Sequence, residues 1–193
     1  MDTREQILES AKRLVQQRGF NGFSYADVAG EVGIRKASLH HHFPAKTDLG
    51  LALIEAYSAD SEVMLGRISK EQRTADAKLQ AYVALYRLAF DADCMCLCGI
   101  LASEALTLDA ALRPRIERFF TRHTEWLAEV LAEGKSQGIF AYEGSAADHA
   151  RVFLSSLQGA LLIARASEDG DAFDRTGALL MASLLKNGLA KPR

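Results

Sequence analysis

Proline, cysteine and tryptophan are scarce in this chain, with three, three and one among 193 residues. Pro44, Pro114 and Pro192 lie far apart, so long helices can run between them. Cys94, Cys96 and Cys98 crowd into five positions, which excludes a spaced disulfide framework; their odd number leaves a free thiol and favours a reducing compartment. No apolar run approaches the roughly 18 to 20 residues that cross a bilayer, the longest candidate being FLSSLQGALLIA. The opening MDTREQ is acidic and polar, unlike a signal peptide, so the cytoplasm is the expected location and no membrane partner is expected.

Motifs that carry chemistry are missing too. There is no G-x-G-x-x-G, P-loop, G-x-S-x-G elbow or H-E-x-x-H, and no acid pair is placed by a recognisable motif. The expectation is a protein that is not an enzyme and holds no cofactor. A net charge of −2 also speaks against a constitutive DNA-compacting protein, which would be strongly basic overall.

What the chain has is helix-forming sequence. Alanine and leucine dominate a composition that is 49% hydrophobic, and period-two alternation between turn residues is absent, so the fold class is all-α. A first helix is predicted over Thr3 to Arg18, with Ile7, Leu8, Ala11, Leu14 and Val15 on one stripe and Gly19 as its stop. After GFNGF, Ser24 precedes Asp27 by three, a capping box with Asp in place of Glu, and opens a short helix to Val32. Gly33 breaks it, and a second short helix, Arg35 to His42, ends before Pro44.

Charge is distributed unevenly around these short helices. Residues 1 to 50 hold seven Lys and Arg against six acids, whereas the remainder holds 16 against 19. RKASLHHHFPAK, from Arg35 to Lys46, has three fixed cations and no acid, so an anionic partner should dock there. Two helices of about two turns joined through a glycine, the second one cationic, describe a helix-turn-helix. His40, His41 and His42 point about 100° apart on a helix and cannot converge on one ion without outside ligands, so no metal site is assigned to them.

The stretch ILESAKRLVQQRGFNGFSYADVAGEVGIRKASLHHHFPAKTDL resembles the DNA-binding domain of the tetracycline-repressor (TetR) family of bacterial regulators, a likeness that covers residues 1 to 54. The resemblance implies phosphate contacts at Ser24, Tyr25, Lys46 and Thr47 and base-reading or groove-lining positions at Arg35, Lys36, Ala37, Ser38 and His41. His40 stands where the family usually has a phosphate-contacting tyrosine, so that contact is expected to be weaker or pH-dependent. It also implies a domain division, with residues 1–46 as a three-helix DNA-binding domain and 47–193 as a larger helical domain for effector binding and dimerisation. The implied function is a repressor that binds a palindromic operator in double-stranded DNA as a dimer and is released by a small effector.

Beyond Lys46 the pattern predicts helices to about Ser69, from Thr74 to Asp91, from Cys98 to Leu106, from Asp109 to Gly138, from a Ser145 cap to Glu168, and from Ala172 to Leu189. Bulky or polar-tipped residues on inward faces, Tyr82, Tyr86, Phe90, Leu101, Phe120, His123, Trp126 and Leu157, are the candidate effector walls, although each reads more readily as packing. The last two helices carry faces too wide for one chain to hide. Phe153, Ser156, Leu157, Ala160, Leu161, Leu180 and Leu184 are the candidate dimer residues. Cys94, Cys96 and Cys98 fall where one helix ends and the next begins; there they either pack or form a thiol- or metal-responsive cluster.

Overall fold

The computed structural model describes residues 2–185, and all nine long elements among them are α-helices: α1 Thr3–Arg18, α2 Tyr25–Val32, α3 Lys36–His42, α4 Lys46–Glu71, α5 Ala75–Asp91, α6 Leu97–Ser103, α7 Arg113–Ser136, α8 Ala146–Ser167 and α9 Gly170–Leu184. An isolated antiparallel bridge joins Phe140 to Leu185. No helix among the described residues is long and apolar enough to cross a membrane. The predicted end of the last helix, beyond Leu185, lies outside the described residues.

Local sequence sets most of these limits. Asp2 caps α1 in a reciprocal box with Glu5, and Gly19 ends the helix by donating its N–H to the Val15 carbonyl. Ser24 and Asp27 form the box that opens α2. Gly33 ends α2 at φ 74° and ψ 30°, a left-handed conformation that L side chains rarely adopt. Two predicted limits shift by more than two residues. α6 ends at Ser103 rather than Leu106, because the chain turns at Glu104, and Asp109 caps a 3₁₀ turn at Ala110–Leu112 before α7 begins with Pro114 in its first turn.

The described chain falls into two compact units whose limits lie inside α4, just after α5 and inside α7. The first comprises the chain up to Ser61 together with Asp93–Phe120; the second comprises Glu62–Ala92 and the chain from Thr121 onward. In the first, Ile7, Ala11, Leu14 and Val15 of α1 share a core with Val28, Leu39, Phe43, Leu49, Leu53 and Ile54, and also with Leu97, Cys98, Leu101 and Leu112 from the later segment. Each fully buried aliphatic side chain there contributes roughly 1.5–3 kcal/mol. In the second, α8 packs along α9 and both contact α5, burying Tyr82, Leu157, Leu161 and Phe173 completely.

Candidate nucleic-acid interface

α2 and α3 meet across Gly33, and the backbone holds their angle: the Ile34 N–H reaches back to the Ala29 carbonyl, and the Ser38 N–H closes on Arg35. Leu39 is the buried residue of α3, and it anchors the helix in the first core. The other side of α3 faces out. Arg35, Lys36, Ala37, His40 and His41 are exposed, whereas Ser38 and His42 are half-buried. Among the described residues Arg35 and Lys36 make no ion pair or side-chain hydrogen bond, so both fixed cations are free to meet an anion.

Two residues expected to touch phosphate are turned inward, which corrects the reading from sequence. The buried Tyr25 hydroxyl lies 2.9 Å from the Phe43 carbonyl oxygen and 2.7 Å from that of Ala45, tying the start of α2 to the link after α3. Burial and the charge of Asp48 push its phenol up to about 12. Lys46 donates to the carbonyls of Phe20 at 2.6 Å and Phe23 at 2.5 Å and lies over both rings, with its pKa lowered mainly by burial. Ser24 donates to the Asp27 carboxylate at 2.6 Å, and Thr47 to Asp109 at 3.2 Å; both stay at the surface. The His40 ring packs on Tyr25 with centroids 4.8 Å apart, and its Nδ1 lies 3.3 Å from the Pro44 carbonyl oxygen.

The turn before α2 is also gripped from the later segment. Glu104 accepts from both the backbone and side-chain amides of Asn21 at 3.0 Å, and its carboxylate occupies the space where a Cβ on Gly19 would stand. Gln16 and Met95 exchange two further hydrogen bonds. Nothing in the local sequence pattern announces these contacts, which join positions about eighty residues apart.

Comparison with known proteins agrees with this geometry. The family model described as bacterial regulatory proteins, tetR family, matches residues 7–53, and that described as the C-terminal domain of LmrA/YxaF-like transcriptional regulators matches residues 76–187. The chain belongs to the TetR family. It is therefore a DNA-binding transcriptional regulator and not an enzyme. A TetR-family regulator from Agrobacterium tumefaciens is 33% identical, with a TM-score of 0.91 over 94% of this chain and 97% of that one. A TetR regulator from Legionella pneumophila is 31% identical, with a TM-score of 0.87 over 95% and 98%. Among curated relatives, the transcriptional repressor NemR of Escherichia coli is 24% identical over 99% of this chain and 96% of its own length.

In this TetR-family chain the candidate effector residues divide. Tyr82, Tyr86, His123 and Trp126 come together in the second unit, where Leu157 is also buried. The Tyr82 hydroxyl lies 2.8 Å from His123 Nδ1 and 3.3 Å from the Tyr86 hydroxyl, to which Gln158 donates at 3.1 Å. Trp126 stacks beside Tyr82 and donates its indole N–H to Ser69 at 2.8 Å. Burial, with the charge of Arg122, lowers His123 to about 4, so the ring is neutral and its Nδ1 can accept from Tyr82. Phe90 stands apart between the Arg87 and Arg165 guanidiniums. Leu101 and Phe120 belong to the first unit and pack on its core.

The three cysteines lie at and just before the start of α6. Cys98 is fully buried and Cys96 nearly so, whereas Cys94 is half-buried. Burial pushes the Cys98 thiol far up, and Tyr57, beside Cys96 and Cys98, is pushed up as well. Cys98 is thereby held as a neutral SH group, the poor nucleophilic form. Among the described residues no three His, Cys, Asp or Glu side chains are grouped to hold a metal.

The dimer expectation needs a similar correction. Phe153, Leu157, Leu161 and Leu184 are buried within the chain's own core. The apolar side chains that α8 and α9 leave exposed include Val152 at 60%, Ile163 at 67% and Leu179 at 72%. Val152, Ser156, Gly159 and Ile163 recur at four, seven and eleven along α8, and Ala172, Thr176 and Leu179 at four and seven along α9. A groove of about 360 Å³ runs between the helices, lined by Ser156, Gly159, Ala160, Ile163, Ala172 and Thr176.

Proposed function

We propose that this chain is a repressor that grips a palindromic operator as a homodimer through α3 and lets go when a small effector binds in its second unit. The outward surface of α3 supports this most directly: two unpaired cations at its N-terminal end, small Ala37 and Ser38 beside them, and no acid from Arg35 to Lys46. Arg35 and Lys36 would read guanine edges, Ala37, Ser38 and His41 would line the groove beside them, and Ser24, His40 and Thr47 would meet phosphate oxygens. Repression is the mode in the name of the NemR relative.

The exposed stripes on α8 and α9 would pair with those of a second copy, giving two α3 helices for two half-sites one helical turn, about 34 Å, apart. The hydrogen-bonded group of Tyr82, Tyr86, His123 and Gln158 gives an effector both hydroxyl and amide partners amid aromatic rings. An effector that favours a spacing of the two heads unlike that of the operator releases the DNA by differential affinity. Footprinting on the DNA upstream of the protein's own coding region tests this proposal. Protection of a palindromic site is expected; protection of no site at any salt concentration would overturn it.

A further inference from the structure

The first fifty residues contain seven fixed cations, and the structure disposes of most of them internally. Lys12 pairs with Glu9 at 2.9 Å and Arg13 with Glu31 at 2.7 Å. Lys46 is turned into the Phe20 and Phe23 carbonyls. Arg18 lies close enough to Asp27 and Glu31 to help lower both carboxyls. Arg18, Arg35, Lys36 and Arg4 make no ion pair or side-chain hydrogen bond among the described residues, and of these Arg35, Lys36 and Arg4 stand at the two ends of α3.

Arg4 is placed by packing. It stands one turn before Ile7 and two before Ala11, on the side of α1 that faces the core shared with α2 and α3. Its guanidinium lies over the Phe43 ring, 5.3 Å from the centroid. Phe43 caps the C-terminal end of α3, and its ring is buried, so it is a fixed platform. Stacking on a ring face occupies the guanidinium's plane and leaves its edge N–H groups for an acceptor. The neighbouring acids are engaged with each other's backbone: Asp2 accepts from the Glu5 N–H at 2.7 Å and Glu5 from the Asp2 N–H at 2.9 Å.

We infer that Arg4 is a phosphate clamp of the operator contact, lying beyond the helix-turn-helix itself and resting on the assignment of α3 as the reading helix. The free cations bracket that helix, with Arg35 and Lys36 at one end and Arg4 at the other. Seven helical residues span about 10 Å, close to the roughly 12 Å width of the major groove. With the N-terminal end of α3 at the base edges, its C-terminal end and Arg4 lie toward the sugar–phosphate rim. Arg4 thus fixes how far and at what tilt α3 enters the groove, without reading sequence.

The test measures affinity by fluorescence anisotropy across a salt series. It uses the full chain on a footprinted site and on a random duplex of equal length. Arg4→Gln is expected to weaken both complexes by the same factor, about tenfold, and to reduce the slope of log K against log salt by about one per subunit. Arg4→Lys should keep the slope, and Arg13→Gln, which removes a paired cation from the same helix, should leave it unchanged. A wild-type slope for Arg4→Gln overturns the clamp, whether affinity is kept or falls with a loss of thermal stability, because propping Phe43 releases no counterions. Lys36→Gln run in parallel separates the two layers. If its slope falls while that of Arg4→Gln does not, the clamp alone is wrong; if neither falls, the assignment of α3 fails with it.

Discussion

The Lys46 ammonium lies 2.6 Å from the Phe20 carbonyl oxygen, so the cation at the head of α4 belongs to the turn between α1 and α2. It closes that turn by taking the Phe23 carbonyl as well and by covering both rings. Lys46→Met therefore removes two charge-assisted bonds and should cost about 1–3 kcal/mol of stability by urea unfolding. Affinity for DNA should fall only with the loss of fold, and the salt slope should stay at the wild-type value. A slope reduced by one per subunit would mean that Lys46 swings out to a phosphate.

Glu104 holds the same turn through Asn21. Glu104→Ala should lower stability by about 1–2 kcal/mol because two amide donors lose their acceptor, whereas Glu104→Gln retains a carbonyl oxygen and should lose less than half of that. A double-mutant cycle with Asn21→Ala isolates the pair; additive losses would show that the two residues do not interact in solution.

His123 makes the second unit sensitive to acid. Its folded-state pKa of about 4 lies below the ordinary 6.5, so between these values the unfolded chain binds the proton and the folded chain does not. Stability contributed by the neutral ring is complete above pH 6.5 and is lost as pH falls toward 4. The expected loss from pH 7 to pH 5 is about 2 kcal/mol. His123→Gln should flatten that part of the urea-unfolding profile, and an unchanged profile would assign the acid sensitivity to other groups.

Ile163→Glu or Leu179→Glu should yield a folded monomer by analytical ultracentrifugation, with unchanged helix content by circular dichroism. Both side chains project from the chain's own surface, so a charge there costs the monomer little and burdens only a partner. Dimers persisting at micromolar concentration would move the interface elsewhere.

Thiol titration separates packing from sensing. One thiol per native chain, Cys94, should react readily with a bulky disulfide reagent, and all three should react in denaturant. Three fast thiols in the native protein would revive the cysteine cluster as a sensor.

Much of the first unit was readable in the sequence because its signals are local. Ser24 with Asp27, Gly19 and Gly33 mark helix ends within a few residues of themselves, and Ile7, Ala11, Leu14 and Val15 declare a buried face by spacing alone. The directions of Tyr25 and Lys46 were not readable. Their partners are backbone carbonyls about twenty residues away, and a carbonyl has no sequence signature. Arg4 went unnoticed for a similar reason, since its platform, Phe43, lies 39 positions on. On α8 the periodicity showed two apolar sides; only packing against α5 and α9 assigns Leu157 and Leu161 inward and Ile163 outward.

The stripes on α8 and α9 bear on gene dosage. Were subunits to pair through these stripes, the chain at concentrations below the dissociation constant of the pair would be mostly single, each copy with one reading head. Operator occupancy then rises with the square of the chain's concentration, and a twofold change in expression becomes a nearly fourfold change in bound operator at low occupancy. A promoter that this protein governs would respond to small shifts in its synthesis before any effector is present.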